Sequence, residues 1–269
     1  MEVVSAASNI AALISSILQG LEFVQLARNF GDELKLHQLR LDLIRLRLSR
    51  WGQATGVCSA DEKWGIDGEN DGKGAGLKDK EDEVEDLLDS IKGVLNKAIA
   101  ESQTLAPKSL GAAGDSSVDA DNDLRPPRFK RLQIRIRKLV QKRYHRAGDH
   151  IRGAKWVLYK KEQCEALTTQ LTELISQLEQ LATPEEELEE LAREECEEMG
   201  DSLKTLVEVA EAVDPLLQAT ASQKLTADVV SRGVSLSADI NHGVQLGVNY
   251  GSLKGLTFGA NNNITNNWK

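Results

Sequence analysis

The sequence is poor in the residues that mark disulfide-rich and membrane-spanning proteins. Only three cysteines occur in 269 residues and none has a CxxC spacing, which is typical of a reducing compartment rather than of a disulfide scaffold. No run of about 18 apolar residues is uninterrupted, so no constitutive membrane span is predicted. Glu2 stands where a signal peptide has basic residues. We therefore expect a protein that is cytoplasmic at rest.

Aromatic residues (4%) and prolines (five) are also scarce, whereas Leu, Ala, Glu, Lys and Arg dominate the chain as far as residue 222. These five residue types are strong helix formers. With 41% hydrophobic residues the chain is able to bury a core. The composition therefore predicts an all-α fold, a helical bundle over residues 1–222.

The motifs of common enzyme classes are missing as well. The sequence has no GxSxG nucleophile elbow, no HExxH zinc motif and no dinucleotide-binding glycine fingerprint. We therefore predict that the chain is not an enzyme, with no catalytic residue, no metal ligand and no cofactor. The formal net charge of −9 argues against general affinity for nucleic acid, and no nucleic-acid partner is expected.

Apolar periodicity predicts where the helices lie. In residues 31–55 the leucines alternate as in a strand, but the length of the run and its helix formers favour a helix. Gly200 predicts a helix stop, and Trp156 and Tyr159 are interpreted as apolar anchors of a helix. The predicted helices span residues 3–28, 31–55, 78–103, 162–182, 184–199 and 201–219.

The first of these helices is apolar and rich in small residues, and it has two interpretations. One is a buried core helix; the other is a segment that also enters a bilayer. Its apolar side chains contribute roughly −2 to −4 kcal/mol to insertion, which serines and Asn9 oppose, so a lone helix is marginal and several together are plausible. The candidates for membrane insertion are Val3, Val4, Ile10, Leu13, Ile14, Ile17, Leu18 and Leu21.

Residues 125–160 are strongly basic, with thirteen Lys or Arg and one acid, Asp149. Residues 183–201 hold ten acids and one arginine, so the two segments can neutralise each other. Mutual neutralisation is the favoured interpretation. Binding to anionic lipid and binding to nucleic acid are the alternatives.

After about Gln223 the composition changes, and residues 223–269 are predicted to form a separate tail. Glycines recur every four residues from Gly243 to Gly259, and acids nearly vanish. Such a segment is too short to bury a core alone, but stacked copies form asparagine ladders and dry apolar rows. We predict a disordered tail able to form cross-β or β-solenoid amyloid; an Asn/Gly tail that stays disordered is the alternative. The predicted motif residues are Asn241, Gly243, Val244, Gln245, Leu246, Gly247, Val248, Asn249, Tyr250, Gly251, Leu253, Leu256, Phe258 and Gly259.

Two segments carry a family resemblance. GLEFVQLARNFGDELKLHQLRLDLIRLRLSRWGQA (20–54) and AKWVLYKKEQCEAL (154–167) resemble the HeLo domain of fungal heterokaryon-incompatibility prion proteins. The resemblance implies a helical domain that, once activated, exposes its N-terminal segment and damages the plasma membrane, killing the cell. It leaves open a non-toxic adaptor or inhibitor that assembles through the tail without breaching membranes.

The tail is similar to a second kind of motif. NHGVQLGVNYGSLKGLTFG (241–259) resembles the Asn/Gly-rich sigma type of fungal amyloid signalling motif. This resemblance implies fibrils of the chain itself and a NACHT-type or lipase-like protein that bears a matching motif. An anionic plasma membrane is the expected partner after activation.

Overall fold

A computed structural model describes the helical part of the chain. Most residues between the elements and all of the tail after Ser231 are outside the described residues, and so is the predicted motif at 241–259. The chain divides into two compact units, Met1–Leu225 and Thr226–Lys269. The described residues are 3–22, 24–26, 33–57, 77, 79–105, 127–144, 156–158, 160–183 and 185–231.

Eight α-helices and two short strands make up these described ranges, and the predicted all-α helical fold is confirmed. Gly200–Ser202 adds one turn of 3₁₀-helix between the sixth and seventh helices. The elements in chain order are α1 (Val3–Glu22), β1 (Val24–Leu26), α2 (Leu34–Ala54), α3 (Glu81–Leu105), α4 (Pro127–Arg143), β2 (Trp156–Leu158), α5 (Lys161–Ala182), α6 (Glu185–Met199), α7 (Leu203–Ala210) and α8 (Pro215–Ser231).

Helix α2 lies at the centre of the first unit. It packs against α1, α4, α5, α6 and α7, and every residue from Leu41 to Gly52 is buried. A helix that is surrounded on all sides needs apolar residues around its whole circumference, which explains why its leucines alternate instead of forming one stripe. The prediction of a helix here, made on length and composition, is confirmed.

Six other helices form two sets around α2. In the first set, α3 packs against both α1 and α5. Helices α4, α6 and α7 pack on one another as the second set. Leucine and isoleucine side chains from both sets join a continuous hydrophobic core with those of α2. The N-terminal helix α1 and the basic helix α4 therefore lie in different sets.

The two strands correct the predicted helix over residues 3–28 and the helical interpretation of Trp156. Strands β1 and β2 pair in parallel, with Val24 opposite Trp156 and Leu26 opposite Leu158. Val24 and Leu158 are both buried, and each strand has only three residues. Pairing with a partner distant in sequence, together with burial, overrides the local helical pattern here.

The predicted helix over 201–219 is also wrong in its continuity. Gly200 does end α6, with a left-handed φ of +47° that favours glycine, as predicted. The chain then breaks again before Pro215, because the Asp214 carboxylate accepts a hydrogen bond from the backbone N–H of Leu217 at 3.1 Å and so caps α8. Helix α8 runs on to Ser231, past the composition change at Gln223.

Candidate functional site

The N-terminal helix α1 carries most of the residues predicted to enter a membrane. The structure brings five of these side chains together on one face, which is buried against the core, and Leu13 lies half-buried beside them. Val3 and Val4 lie in α1, but their side chains are outside the described residues. The spacing of three and four residues along the helix produces this single apolar face. The five buried side chains are Ile10, Ile14, Ile17, Leu18 and Leu21.

The opposite face of α1 consists of small and polar residues. Asn9, Ala12, Ser16 and Glu22 are exposed in the folded unit. In the resting structure α1 is therefore an ordinary amphipathic core helix, as the first interpretation of its sequence predicts. No helix within the described ranges has both the length and the apolar character of a membrane span.

Two contacts fix the C-terminal end of α1. A Cβ atom built on Gly20 would overlap Cδ2 of Leu95, so the absence of a side chain at this position allows α1 to approach α3 closely. Glu22 accepts a hydrogen bond from the Arg45 guanidinium at 2.8 Å, which joins α1 to α2. Burial lowers the pKa of Arg45, and the Glu22 carboxylate opposes that effect.

A buried ion cluster joins α2, α4, α6 and the start of α8. Arg50 of α2 is fully buried; it donates to the Asp214 carboxylate, and its Nη1 lies 3.3 Å from Oε2 of Glu195. Arg143 of α4 binds the other oxygen of Glu195. Burial alone would lower the pKa of Arg50, but the carboxylates of Asp214 and Glu195 outweigh it and raise the pKa. The charges therefore persist inside the protein because they are paired.

Arg47 makes a second buried connection one turn earlier in α2. Its Nε donates to Oε1 of Glu179 in α5 at 3.0 Å, and its Nη1 donates to the backbone carbonyl of Val213 at 2.9 Å. Val213 directly precedes Asp214, the residue that caps α8. Arg47 and Arg50 together therefore bind both residues at the point where α8 begins.

Most of the described residues of the basic segment 125–160 lie in helix α4. Three of its arginines bind acids of segment 183–201: Arg143 binds Glu195, and Arg131 and Arg135 both bind Asp201. The predicted neutralisation by 183–201 is therefore present at these two carboxylates. Arg128 pairs with Glu208 at 3.7 Å and Arg137 lies 3.9 Å from Asp42, two acids that the sequence did not single out.

Comparison with known proteins identifies the family. The model of the HeLo family, described as prion inhibition and propagation, matches residues 3–209. The chain belongs to the HeLo family. Its curated relatives include the heterokaryon incompatibility protein s of Podospora anserina, at 29% identity over 231 residues, which are 84% of this chain and 75% of that protein. Heterokaryon incompatibility protein S of the same fungus is 29% identical over 232 residues, 85% of this chain and again 75% of the relative.

Solved structures agree with the HeLo assignment. The N-terminal domain of HET-s superposes with a TM-score of 0.65 at 27% identity, covering 82% of this chain and 98% of that domain. A double mutant of the same domain gives a TM-score of 0.66 at 27% identity, covering 81% and 99%. The chain is thus a HeLo-domain protein of the heterokaryon-incompatibility, prion-related type, and the family resemblance seen in the sequence is confirmed.

Sequence reasoning did not single out the ion cluster of the HeLo domain. The signal was present, because Arg45, Arg47 and Arg50 lie among leucines in a helix whose apolar residues surround it. Arginine in such a helix requires buried carboxylates elsewhere in the chain. Within the described part of the HeLo domain, no group of three or more His, Cys, Asp or Glu side chains is placed to hold a metal ion.

Proposed function

We propose that this HeLo protein is an amyloid-triggered effector of cell death that disrupts membranes. In the proposed mechanism the chain is cytoplasmic at rest, with the apolar face of α1 buried. A NACHT-type or lipase-like protein with a matching motif templates the tail, and the tails assemble into a fibril. Crowded HeLo domains then release α1 into the anionic plasma membrane.

The observation that carries this proposal is the buried apolar face of α1. Ile10, Ile14 and Ile17 have no exposed surface, so the resting fold hides the side chains that a bilayer would accept. Each large aliphatic side chain contributes about 1.5–3 kcal/mol when buried. Release of α1 into water would lose that contribution five times over, whereas release into hydrocarbon would retain it. A membrane is therefore the environment in which an opened domain gains most.

Assembly through the tail brings several α1 helices together, because a single α1 inserts only marginally. The sequence estimate for inserting one copy of the helix is only about −2 to −4 kcal/mol before its polar residues are counted. Serines and Asn9 become less costly when helices pack together, since their side chains then bond across the interface. A fibril that holds many chains together raises the local concentration of α1 by linkage.

The decisive experiment uses the exposed face of α1. Ala12→Asp with Ser16→Asp adds two charges at exposed positions, so the folded domain is expected to tolerate both changes. In a bilayer each Asp near the helix centre costs about 2.5–3.5 kcal/mol, so the two together cost about 5–7 kcal/mol, which exceeds the gain of about 2–4 kcal/mol from the apolar face. We expect full-length wild-type chain to release dye from phosphatidylserine-containing vesicles once seeded with fibrils of the 223–269 peptide. The variant should release at least tenfold less.

The matched control places the same two charges on the exposed face of α3, as Asn96→Asp with Gln103→Asp. It should leak like the wild type. Equal leakage from the α1 variant and the wild type would exclude α1 as the segment that permeabilises the membrane. If seeded wild-type chain forms fibrils and releases no dye, the non-toxic adaptor or inhibitor becomes the function.

A further inference from the structure

The outward face of the basic helix α4 is largely exposed, as far as the described residues show. Five residues spaced three and four apart lie on this face, which we name the basic stripe. Its members are exposed, and the buried side chains Leu132, Ile136 and Val140 occupy the opposite face. The basic stripe consists of Ile134, Arg137, Lys138, Gln141 and Lys142.

Among the described residues, the neutralisation of α4 is incomplete. The helix has eight Lys or Arg and no acid, and its ion pairs within the described residues involve four carboxylates, Asp42, Glu195, Asp201 and Glu208. In the part of the chain that the structure describes, no carboxylate lies within ion-pair distance of Lys138 or Lys142. Arg137 has one at 3.9 Å and remains 51% exposed. The positive charge of the stripe thus faces solvent.

An apolar side chain stands within this positive surface. Ile134 is 45% exposed, and among the described residues it is the one large hydrophobic side chain that is exposed. Lys138 and Gln141 lie four and seven residues further along the same face, so the isoleucine and the cations reach one plane together. Ile134 lies next to Arg137 and Lys138 on this face. Such a pairing of an apolar side chain with cations suits the boundary between phospholipid headgroups and acyl chains, where both kinds of group are favoured.

We propose that the basic stripe docks the folded HeLo domain onto an anionic phospholipid surface. This inference goes beyond the proposed function, because docking requires neither tail assembly nor release of α1. Three cations, each contributing about 1 kcal/mol near an anionic surface, give weak and reversible docking, so the resting chain exchanges with a cytoplasmic pool. Nucleic acid fits the stripe less well: the stripe carries no aromatic side chain on which a base could stack, and the chain has a net charge of −9. On a bilayer, by contrast, the exposed side chain of Ile134 can contact the acyl chains of the lipid.

The test is flotation of unseeded full-length chain with vesicles of phosphatidylcholine alone or with 30% phosphatidylserine. We expect binding only to the anionic vesicles, weakened when salt is raised from about 50 to 200 mM. Lys138→Gln with Lys142→Gln should lower the partition coefficient about 25-fold, since each cation near such a surface contributes about fivefold. Ile134→Ser should weaken binding without changing its dependence on salt.

The matched control removes the same charge from α3, as Lys92→Gln with Lys97→Gln, and should bind like the wild type. Binding that is absent, or equal for the stripe variant and the control, would overturn the inference. It would also be overturned if the stripe variant bound vesicles like the wild type but no longer shifted single-stranded RNA in a gel. The same holds if the variant lost only a salt-sensitive dimer that the wild type forms in sedimentation velocity. Those results would assign the stripe to nucleic acid or to a second copy.

Failure of docking and failure of the proposed function give different results. If the seeded chain releases dye while the unseeded chain does not float with anionic vesicles, the stripe is not a docking surface and the proposed function stands. If the unseeded chain floats through the stripe and the seeded chain releases nothing, docking stands without membrane damage. Circular dichroism and urea unfolding of the stripe variant should match the wild type, since the lysines of the stripe are exposed.

Discussion

Among single residues, Arg50 is the one on which the interior of the helical domain depends most. It is fully buried between the carboxylates of Asp214 and Glu195. Among the described residues, Arg143 is the one other cation that pairs with this cluster, and it binds Glu195. Arg50→Met keeps the side-chain volume but leaves Asp214 buried without a counter-charge. We expect the free energy of unfolding to fall by about 3–5 kcal/mol, measured by urea denaturation. A loss below about 1 kcal/mol would contradict a buried pair.

The matched control for Arg50 is Arg128→Met in α4. Arg128 is 55% exposed and its pair with Glu208 spans 3.7 Å, so the same substitution should change stability by less than about 1 kcal/mol. A double-mutant cycle of Arg50→Met with Asp214→Asn measures the coupling free energy between the two residues, apart from the cost of changing each one alone. If the two losses are simply additive, the pair is not coupled and the cluster is only a set of neighbours.

At the scale of the elements, the close approach of α1 and α3 rests on one glycine. A methyl group at Gly20 would overlap Leu95, whose side chain is itself buried, whereas a methyl group at Gly93 in α3 meets nothing within 4 Å. Gly93→Ala should therefore stabilise the domain by about 0.5–1 kcal/mol through helix propensity. Gly20→Ala gains the same propensity but overpacks the interface at a cost of about 1–3 kcal/mol.

The two alanine variants should therefore differ in the free energy of unfolding by about 1–3 kcal/mol, as measured by thermal or urea unfolding. Gly20→Ala combined with Leu95→Val should recover part of the difference, since the smaller side chain gives back the space. Equal stability of the two variants would mean that α1 shifts freely against α3. In that case Gly20 would not fix the position of α1 in the folded domain.

The elements that could be predicted from sequence are those whose order is local. Length and helix formers were enough for α2, although its leucines alternate, and Gly200 marked the end of α6. Strands β1 and β2 could not be predicted, because three residues have no strand pattern of their own and depend on a distant partner. The break before α8 had a signal in Asp214 followed by Pro215, a capping residue before a helix-starting proline.

The candidate site divides in the same way. The apolar face of α1 followed from spacing alone, and the structure buries it as a core helix. The partner of Arg50 could not be predicted, because Asp214 lies 164 residues away and many acids compete for that role. The motif from Asn241 to Gly259 remains a prediction, since order in such a segment comes from other copies of the chain.

At the scale of the whole molecule, the proposed function requires the helical domain to open when the tail assembles, and two buried thiols report that event. Burial raises the pKa of Cys164 to about 11 and that of Cys196 to about 12. Since the thiolate is the reactive form, the raised pKa values slow alkylation at neutral pH by about 100-fold or more relative to an ordinary cysteine. Both thiols are also buried, so labelling of the resting chain should be very slow.

The experiment places full-length chain in a Cys58→Ser background and follows maleimide labelling at pH 7.5 by mass spectrometry. Seeding with fibrils of the 223–269 peptide should raise the labelling rate of both thiols towards that of the chain in guanidinium, because opening removes the burial that raises each pKa. Unrelated fibrils serve as the control and should leave both rates unchanged. Assembled tails with thiols as slow as at rest would mean that the domain stays closed on the fibril, and a closed domain cannot release α1.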